Sequence, residues 1–295
     1  MLAIFLIFLS LQSSSPGIFQ DPEITKVYSG FEDGEFILKA YIGRKLMYAA
    51  KGPSAGGEPE GVWTIYAYKN FLKDKELPKQ KVAEGRCIKG KRDGLWRGFF
   101  PNGRVAWEGE YRKNFLHGTF TDYFESGQVR YRGSYCKGWQ TGHWVHWHEN
   151  GNKQIEGDFE KDLRIRFWTA YYPSQSKLWQ VNYKILKGPG NLKYSVRHGI
   201  FQSYYKGEKL ATIGKYVNGL KDGQWIYYYR NGKRRATGIY VKDKKHGAWM
   251  FYNKLGKTML IVDYNYNKKI SEKVLQKPVL NIENLDFHLL PDRKP

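Results

Sequence analysis

Apolar and polar residues alternate in short runs along this chain, and glycine punctuates them at a fixed interval. A glycine, an aromatic two residues on, a further aromatic pair and another glycine recur in seven plain copies: Gly94-Leu-Trp96, Gly118-Thr-Phe120, Gly142-His-Trp144, Arg166-Phe-Trp168, Gly199-Ile-Phe201, Gly223-Gln-Trp225 and Gly247-Ala-Trp249. The first four start 24 residues apart, as do the last three. A period of that length indicates a repeat architecture. Within one copy, the aromatic-rich run Leu95 to Phe100 meets Pro101-Asn102-Gly103, and a second run extends from Val105 to Tyr111. Two strand-like runs around an Asn-Gly turn predict a β-hairpin. The turn glycine recurs at Gly127, Gly151, Gly207, Gly232 and Gly256, and Gln175 replaces it in the copy that starts at Arg166.

Period-two alternation sorts the faces of each hairpin. Val105, Trp107, Gly109 and Tyr111 share one side, and Arg104, Ala106, Glu108 and Glu110 the other. Most rings fall on the first side. The opposite side carries a sparser aromatic row: Phe99, Tyr123, Trp147, Tyr171, Tyr204, Tyr228 and Tyr252. Rigid rings at even intervals lose little entropy on binding, so this row is the candidate partner-contact surface.

Worn copies begin at Gly34 and Gly61. Insertions of nine residues fall around Leu72 to Lys81 and between Tyr183 and Gly199, the first in a hairpin turn and the second in a connection between hairpins, so they should project from opposite edges. The expected fold is all-β: an elongated, curved, single-layer antiparallel meander of about nine hairpins, roughly 85 Å of sheet at about 4.8 Å per strand. The chain divides into a signal peptide (1–17), an N-terminal segment (18–33), the hairpin array (34–264) and a tail (265–295) that caps the last edge strand.

The apolar run Leu2 to Leu11 has the length of a signal-peptide core and is too short to span a bilayer. Export to a periplasmic or secreted location is expected, with a cytoplasmic or membrane-associated protein as the alternative. The two cysteines, Cys87 and Cys136, are out of phase in the repeat and about four strand spacings, roughly 19 Å, apart, so two free thiols are expected.

Composition changes the picture in one respect. Lys and Arg number 49 against 28 Asp and Glu, a net charge of +21, which favours polyanionic partners. The loops between hairpins are basic, and Lys89, Lys91, Arg92, Arg112, Lys113, Lys242, Lys244 and Lys245 are the candidate anion-contact residues.

The pattern G-x-W-x-x-Y-Y-x-x-G, then E-G-x-Y, then a polar loop ending in D-G or H-G, resembles the MORN repeat; Gly223 to Gly247 matches it best. It most resembles the bacterial variant found in YwqK-like antitoxins. That resemblance implies a hairpin array used as an interaction scaffold, with partner-protein binding, antitoxin-like neutralisation and contact with acidic phospholipid as roles attached to the family.

Catalytic patterns are missing from the sequence: it has no nucleophile elbow, Walker loop or dinucleotide fingerprint. His146 and His148 share a strand face and His143 points away, but His148 stands in a column of rings at Phe100, Phe124, Tyr172, Tyr205 and Tyr229, so a packing role is expected in place of a metal. No catalytic residue, cofactor, metal or small-molecule substrate is expected. The sequence supports a non-enzymatic scaffold for an unidentified protein partner, with a peripheral module for anionic phospholipid surfaces as the alternative. Nucleic acid is disfavoured, because most rings lie on the face that packs between hairpins.

Overall fold

The computed structural model describes residues 26–32, 35–42, 45–67 and 80–276, and it divides into two compact units, Met1–Ile165 and Arg166–Pro295. The predicted leader, Gly34, most of the first insertion and the tail beyond 276 lie outside the described residues. The first unit contains β1 (Lys26–Glu32), β2 (Glu35–Ile42), β3 (Lys45–Gly52), the two-residue strands β4 (Ser54–Ala55) and β5 (Glu58–Pro59), β6 (Gly61–Ala67), β7 (Gln80–Ile88), β8 (Lys91–Phe99), β9 (Val105–Arg112), β10 (Phe115–Tyr123), β11 (Val129–Cys136), β12 (Trp139–Trp147) and β13 (Lys153–Glu160). Apart from the separate β4–β5 hairpin, each strand pairs antiparallel with the next.

The division between units falls within β14 (Leu163–Tyr171). Then come β15 (Lys177–Lys187), a 3-10 turn at Pro189–Asn191, β16 (Lys193–Tyr204), β17 (Leu210–Val217), β18 (Leu220–Lys221), β19 (Gly223–Tyr228), β20 (Arg234–Val241), β21 (Lys244–Tyr252), β22 (Thr258–Asn265) and β23 (Lys268–Val274). This unit is likewise an antiparallel meander, in which β18 and β19 both pair with β17.

The predicted all-β array of antiparallel hairpins is therefore present, and it reaches further than the repeat pattern. β1 lies in the segment assigned to the N-terminus, and β23 lies in the segment assigned to the capping tail. The second insertion forms no separate excursion. It lengthens β15 and β16, which stay paired from Tyr183↔Arg197 to Lys187↔Lys193.

Three local devices repeat in the array. First, hairpins are joined by two-residue turns with both residues at positive φ, such as Lys113-Asn114 (50° and 74°) and Lys242-Asp243 (48° and 68°). Such turns match the right-handed twist of the flanking strands. Their Asn or Asp side chain accepts a bond from the start of the preceding hairpin: Arg92 N–H donates to Asn114 Oδ1 at 2.7 Å, and Lys245 N–H to Asn267 Oδ1 at 2.7 Å.

Second, the leading glycine sits in a bulge. Pairing of β10 with β9 jumps between Leu116 and Phe120, and Gly118 between them has φ 107°. Arg166 and Gln175, which replace leading and turn glycines, keep left-handed φ values of 56° and 68°. A side chain there costs energy that glycine avoids. Arg166→Gly and Gln175→Gly are each expected to stabilise the chain by about 1 kcal/mol. Urea titration checks this, and a fall in stability would mean the lost side-chain contacts outweigh the relieved strain.

Third, the tryptophan two residues after the leading glycine lies on a glycine of the strand before it, eleven residues back, at Trp96, Trp144, Trp225 and Trp249. A Cβ placed on Gly85, Gly133, Gly214 or Gly238 would come within 2.3 Å or less of the ring of Trp96, Trp144, Trp225 or Trp249. The indole N–H then donates to the carbonyl next to that glycine: Trp96 to Arg86 at 2.8 Å, Trp144 to Ser134 at 3.2 Å, Trp225 to Lys215 at 3.2 Å and Trp249 to Ile239 at 3.1 Å. Tyrosines close the column from both sides; Trp225 meets Tyr216 and Tyr240 edge to face at 5.2 and 6.0 Å. These rings make up the core of a thin sheet, where aliphatic depth is lacking.

Candidate functional site

The ring face is consumed by packing, so what the protein can present is the opposite face and the two turn edges. The opposite face differs between the units. In the first, a cross-strand row reads Glu84, Arg97, Glu108, Thr121, Arg132, Val145, Glu156 in direct register. Its charges meet one another: Arg97 Nε lies 3.5 Å from Glu108, and Arg132 Nε donates to Thr121 Oγ1 at 3.2 Å. On the neighbouring row, His143 Nδ1 lies 3.0 Å from Asp158 Oδ1.

In the second unit the corresponding row reads Gln202, Ile213, Ile226, Thr237, Met250, Ile261. Beside it, Phe167 is 67% exposed, Ile200 60% and Ile239 48%. Between Gln202 and Ile261 this row carries no charge, although Lys215 stands opposite Ile200 and Lys273 opposite Ile261, and the unit as a whole is more basic. Residues 166–295 hold 25 basic and 8 acidic residues (net +17), against 24 and 20 (net +4) in 1–165.

Each of the seven predicted contact aromatics is the last residue of its strand, directly after a shift in register with the following strand. All are half-buried. In the first unit, Phe99 is covered by Lys81 Nζ at 4.1 Å from its ring centre, and Tyr123 OH donates to Glu108 Oε1 at 2.7 Å. In the second unit, Tyr171, Tyr204, Tyr228 and Tyr252 border the aliphatic row. The backbones of the last three are held by the neighbouring ring column: Tyr172 OH donates to Tyr204 O at 3.0 Å, Tyr205 OH to Tyr228 O at 2.7 Å and Tyr229 OH to Tyr252 O at 2.7 Å.

Among the predicted anion-contact residues, Lys89, Lys91, Arg112, Lys113, Lys242 and Lys244 are exposed at turns. Arg92 and Lys245 are not. Arg92 is 1% exposed, its guanidinium 3.9 Å from the centre of the Tyr111 ring. Lys245 is half-buried with Nζ 5.0 Å from Trp249 and 5.1 Å from Tyr264. Burial lowers the pKa of both, and the neighbouring Lys221 lowers that of Lys245 further. These cations cap the aromatic column as Lys221 does over Trp225 and Tyr240, because the chain turns inward just ahead of the bulge glycine.

Both cysteines are free. Cys87 is buried, which pushes its thiol up to about 12 and leaves it unreactive; Cys136 is exposed. The ring column predicted to hold His148 does run through the turns. His146 is the more informative histidine. It stacks on Tyr131 at 5.2 Å, and burial, with Arg164 and Arg130 nearby, lowers its pKa to about 4. A pKa below the unfolded value of about 6.5 means the unfolded chain takes up the proton first, so stability is full above about pH 6.5 and falls as pH drops toward 4, by about 1.4 kcal/mol per unit. Between pH 7 and pH 5 the wild type should lose about 2 kcal/mol that His146→Phe keeps. Equal losses in thermal melts of both proteins would remove this role. Among the described residues, no group of His, Cys, Asp and Glu is arranged to hold a metal ion.

Three segments, 116–137, 140–161 and 221–242, match the family model described as MORN repeat variant. Each segment spans one hairpin, from a column-capping position at Leu116, Gln140 or Lys221 to the first residue of the next left-handed turn at Lys137, Lys161 or Lys242. No curated protein matches the chain. MORN repeats are associated with binding and scaffold roles, and the matched repeats and all-β fold suggest a non-catalytic module.

Proposed function

We propose that this chain is a non-enzymatic scaffold that holds a protein partner on the outer face of its second unit. One observation carries the reading. The cross-strand row that carries Glu84, Arg97, Glu108, Arg132 and Glu156 in the first unit carries Ile213, Ile226, Met250 and Ile261 in the second, flanked by exposed Phe167, Ile200 and Ile239. Exposed aliphatic groups next to rigid tyrosines are the composition of a recognition surface, since a polar surface would serve solubility better. Antitoxin-like neutralisation of a partner is one form of this role, and export through the Leu2 to Leu11 run is part of the same proposal. Proteins recovered with the full chain from native extract would be identified and tested by direct titration. Ile200→Ser/Ile239→Ser/Met250→Ser should weaken the interaction at least tenfold, and unchanged affinity sinks the placement.

The excess of cations in residues 166–295 favours a second reading, contact with anionic membrane. It requires vesicle binding that grows with the acidic lipid fraction and disappears at high salt; equal binding to neutral and acidic vesicles removes it.

A further inference from the structure

The departures from the repeat that remain unexplained are at the hairpin turns of the second unit. Turn 205–209 carries Lys206 and Lys209, turn 229–233 carries Arg230 and Lys233, and turn 253–257 carries Lys254 and Lys257. All six are exposed. They form two columns in phase with the repeat, 206/230/254 and 209/233/257. The equivalent first-unit positions are Pro101, Glu125 and Glu149 in one column and Arg104, Gln128 and Asn152 in the other. There Arg104 is already engaged, donating to the carbonyls of Glu125 and Ser126 at 3.1 Å each. On these three turns Glu208 is the one acidic residue, and the unit's other turn of this kind, 172–176, carries no charge.

The turns are also held at a fixed interval. Tyr205 and Tyr229 each donate to the next hairpin's backbone, and Asn231 Nδ2 donates to Lys254 O at 2.7 Å. One hairpin is two strands, so successive turns stand about 9.6 Å apart. A polyproline II segment advances about 3.1 Å per residue with three residues per turn, so every third side chain returns to one face after about 9.3 Å.

We infer that this edge binds an extended acidic segment of a partner protein with a carboxylate at every third residue. The inference deepens the scaffold reading and rests on it. The carboxylates meet the paired cations of successive turns, and the intervening side chains lie on Tyr204, Tyr228 and Tyr252, which end the strands entering those turns. Charge complementarity favours this occupant over a second copy of the chain, whose second unit would also bring +17. Duplex nucleic acid fits the spacing less well, since each of its strands places a phosphate about every 3.4 Å of helix axis, roughly three per turn. Acidic head groups in a fluid bilayer carry no fixed interval for the turns to read.

The test titrates the full chain with a labelled 12-residue peptide, (Glu-Thr-Pro)4, and with a peptide of the same composition whose glutamates are contiguous. Lys209→Gln/Lys233→Gln/Lys257→Gln removes one column, and Lys89→Gln/Lys113→Gln/Lys137→Gln removes the same charge from exposed turns of the first unit. The spaced peptide should bind at least tenfold more tightly than the contiguous one. The second-unit triple should weaken it at least tenfold and the first-unit triple less than twofold. Equal affinity for the two peptides, or equal loss in the two triples, overturns the inference. So does equal or tighter binding of a dT12 oligonucleotide or of vesicles containing 30% phosphatidylserine. If neither peptide binds while a partner from extract still does, the acidic edge fails and the scaffold reading stands.

Discussion

Gly214→Ala should destabilise the chain by about 3 kcal/mol, and Gly133→Ala by a similar amount, the upper part of the usual range for overpacking. Alanine is ordinarily an easy replacement for glycine in a strand, and neither position has a left-handed backbone that would forbid it. The cost comes from the neighbour. A Cβ on Gly214 would stand 2.1 Å from Trp225 Cδ2, and one on Gly133 2.1 Å from Trp144 Cδ2. Neither ring can retreat, because each is fully buried and its N–H is bonded to the adjoining carbonyl. Gly232→Ala is the control. It has φ 83° but open space around it, so it should cost only backbone strain, about 1 kcal/mol. Urea melts that place Gly214→Ala no lower than Gly232→Ala would contradict the packing. Because the clash needs both partners, Gly214→Ala and Trp225→Leu should combine less than additively.

The second large effect is Trp225→Ala, expected at about 3 to 5 kcal/mol. The substitution empties a site that is 1% exposed, removes edge contacts with Tyr216 and Tyr240, and leaves the Lys215 carbonyl without its indole partner. Trp225→Phe should cost less than half as much. The chain itself supplies that comparison: Phe120 occupies the tryptophan position of its hairpin, sits over Gly109, stacks between Trp107 and Tyr131, and stays buried. Equal losses for the two substitutions would assign the stability to the hydrogen bond and not to the ring.

Much of this architecture can be read from residue order because every hairpin repeats the same local physics. The turn glycines at 103, 127, 151, 207, 232 and 256 all have positive φ, and each aromatic of the row Phe99 to Tyr252 ends a strand. The repeat was less informative where a position depends on a neighbour's side chain. Arg92 and Lys245 look like loop cations, and only the rings of Tyr111 and Tyr264 beside them show why they fold inward. β15 and β16 absorb the insertion between Tyr183 and Gly199 because that stretch still pairs across its own turn, which spacing alone does not reveal. The aliphatic row Ile213 to Ile261 is not legible from spacing, because its members come from different strands and meet only through cross-strand register. Its aliphatic character stands out only against the charged row of the first unit.

The ring-on-glycine contact also gives the array a direction. Each hairpin offers a vacant glycine on its second strand to whatever hairpin follows, and fills the vacancy left by the one before. A unit could in principle be duplicated or exchanged at any point where a glycine is on offer, without redesign of its neighbours. In the second unit that chain of hand-offs is closed at two points. Val181 stands where the glycine would be, and the ring opposite it is the smaller Phe201. Val262, 3% exposed, fills the last such place, and the residue paired with it is Glu272. A tryptophan-bearing hairpin can therefore follow Gly214 or Gly238 but not Val181 or Val262, where only a smaller side chain such as Phe201 fits.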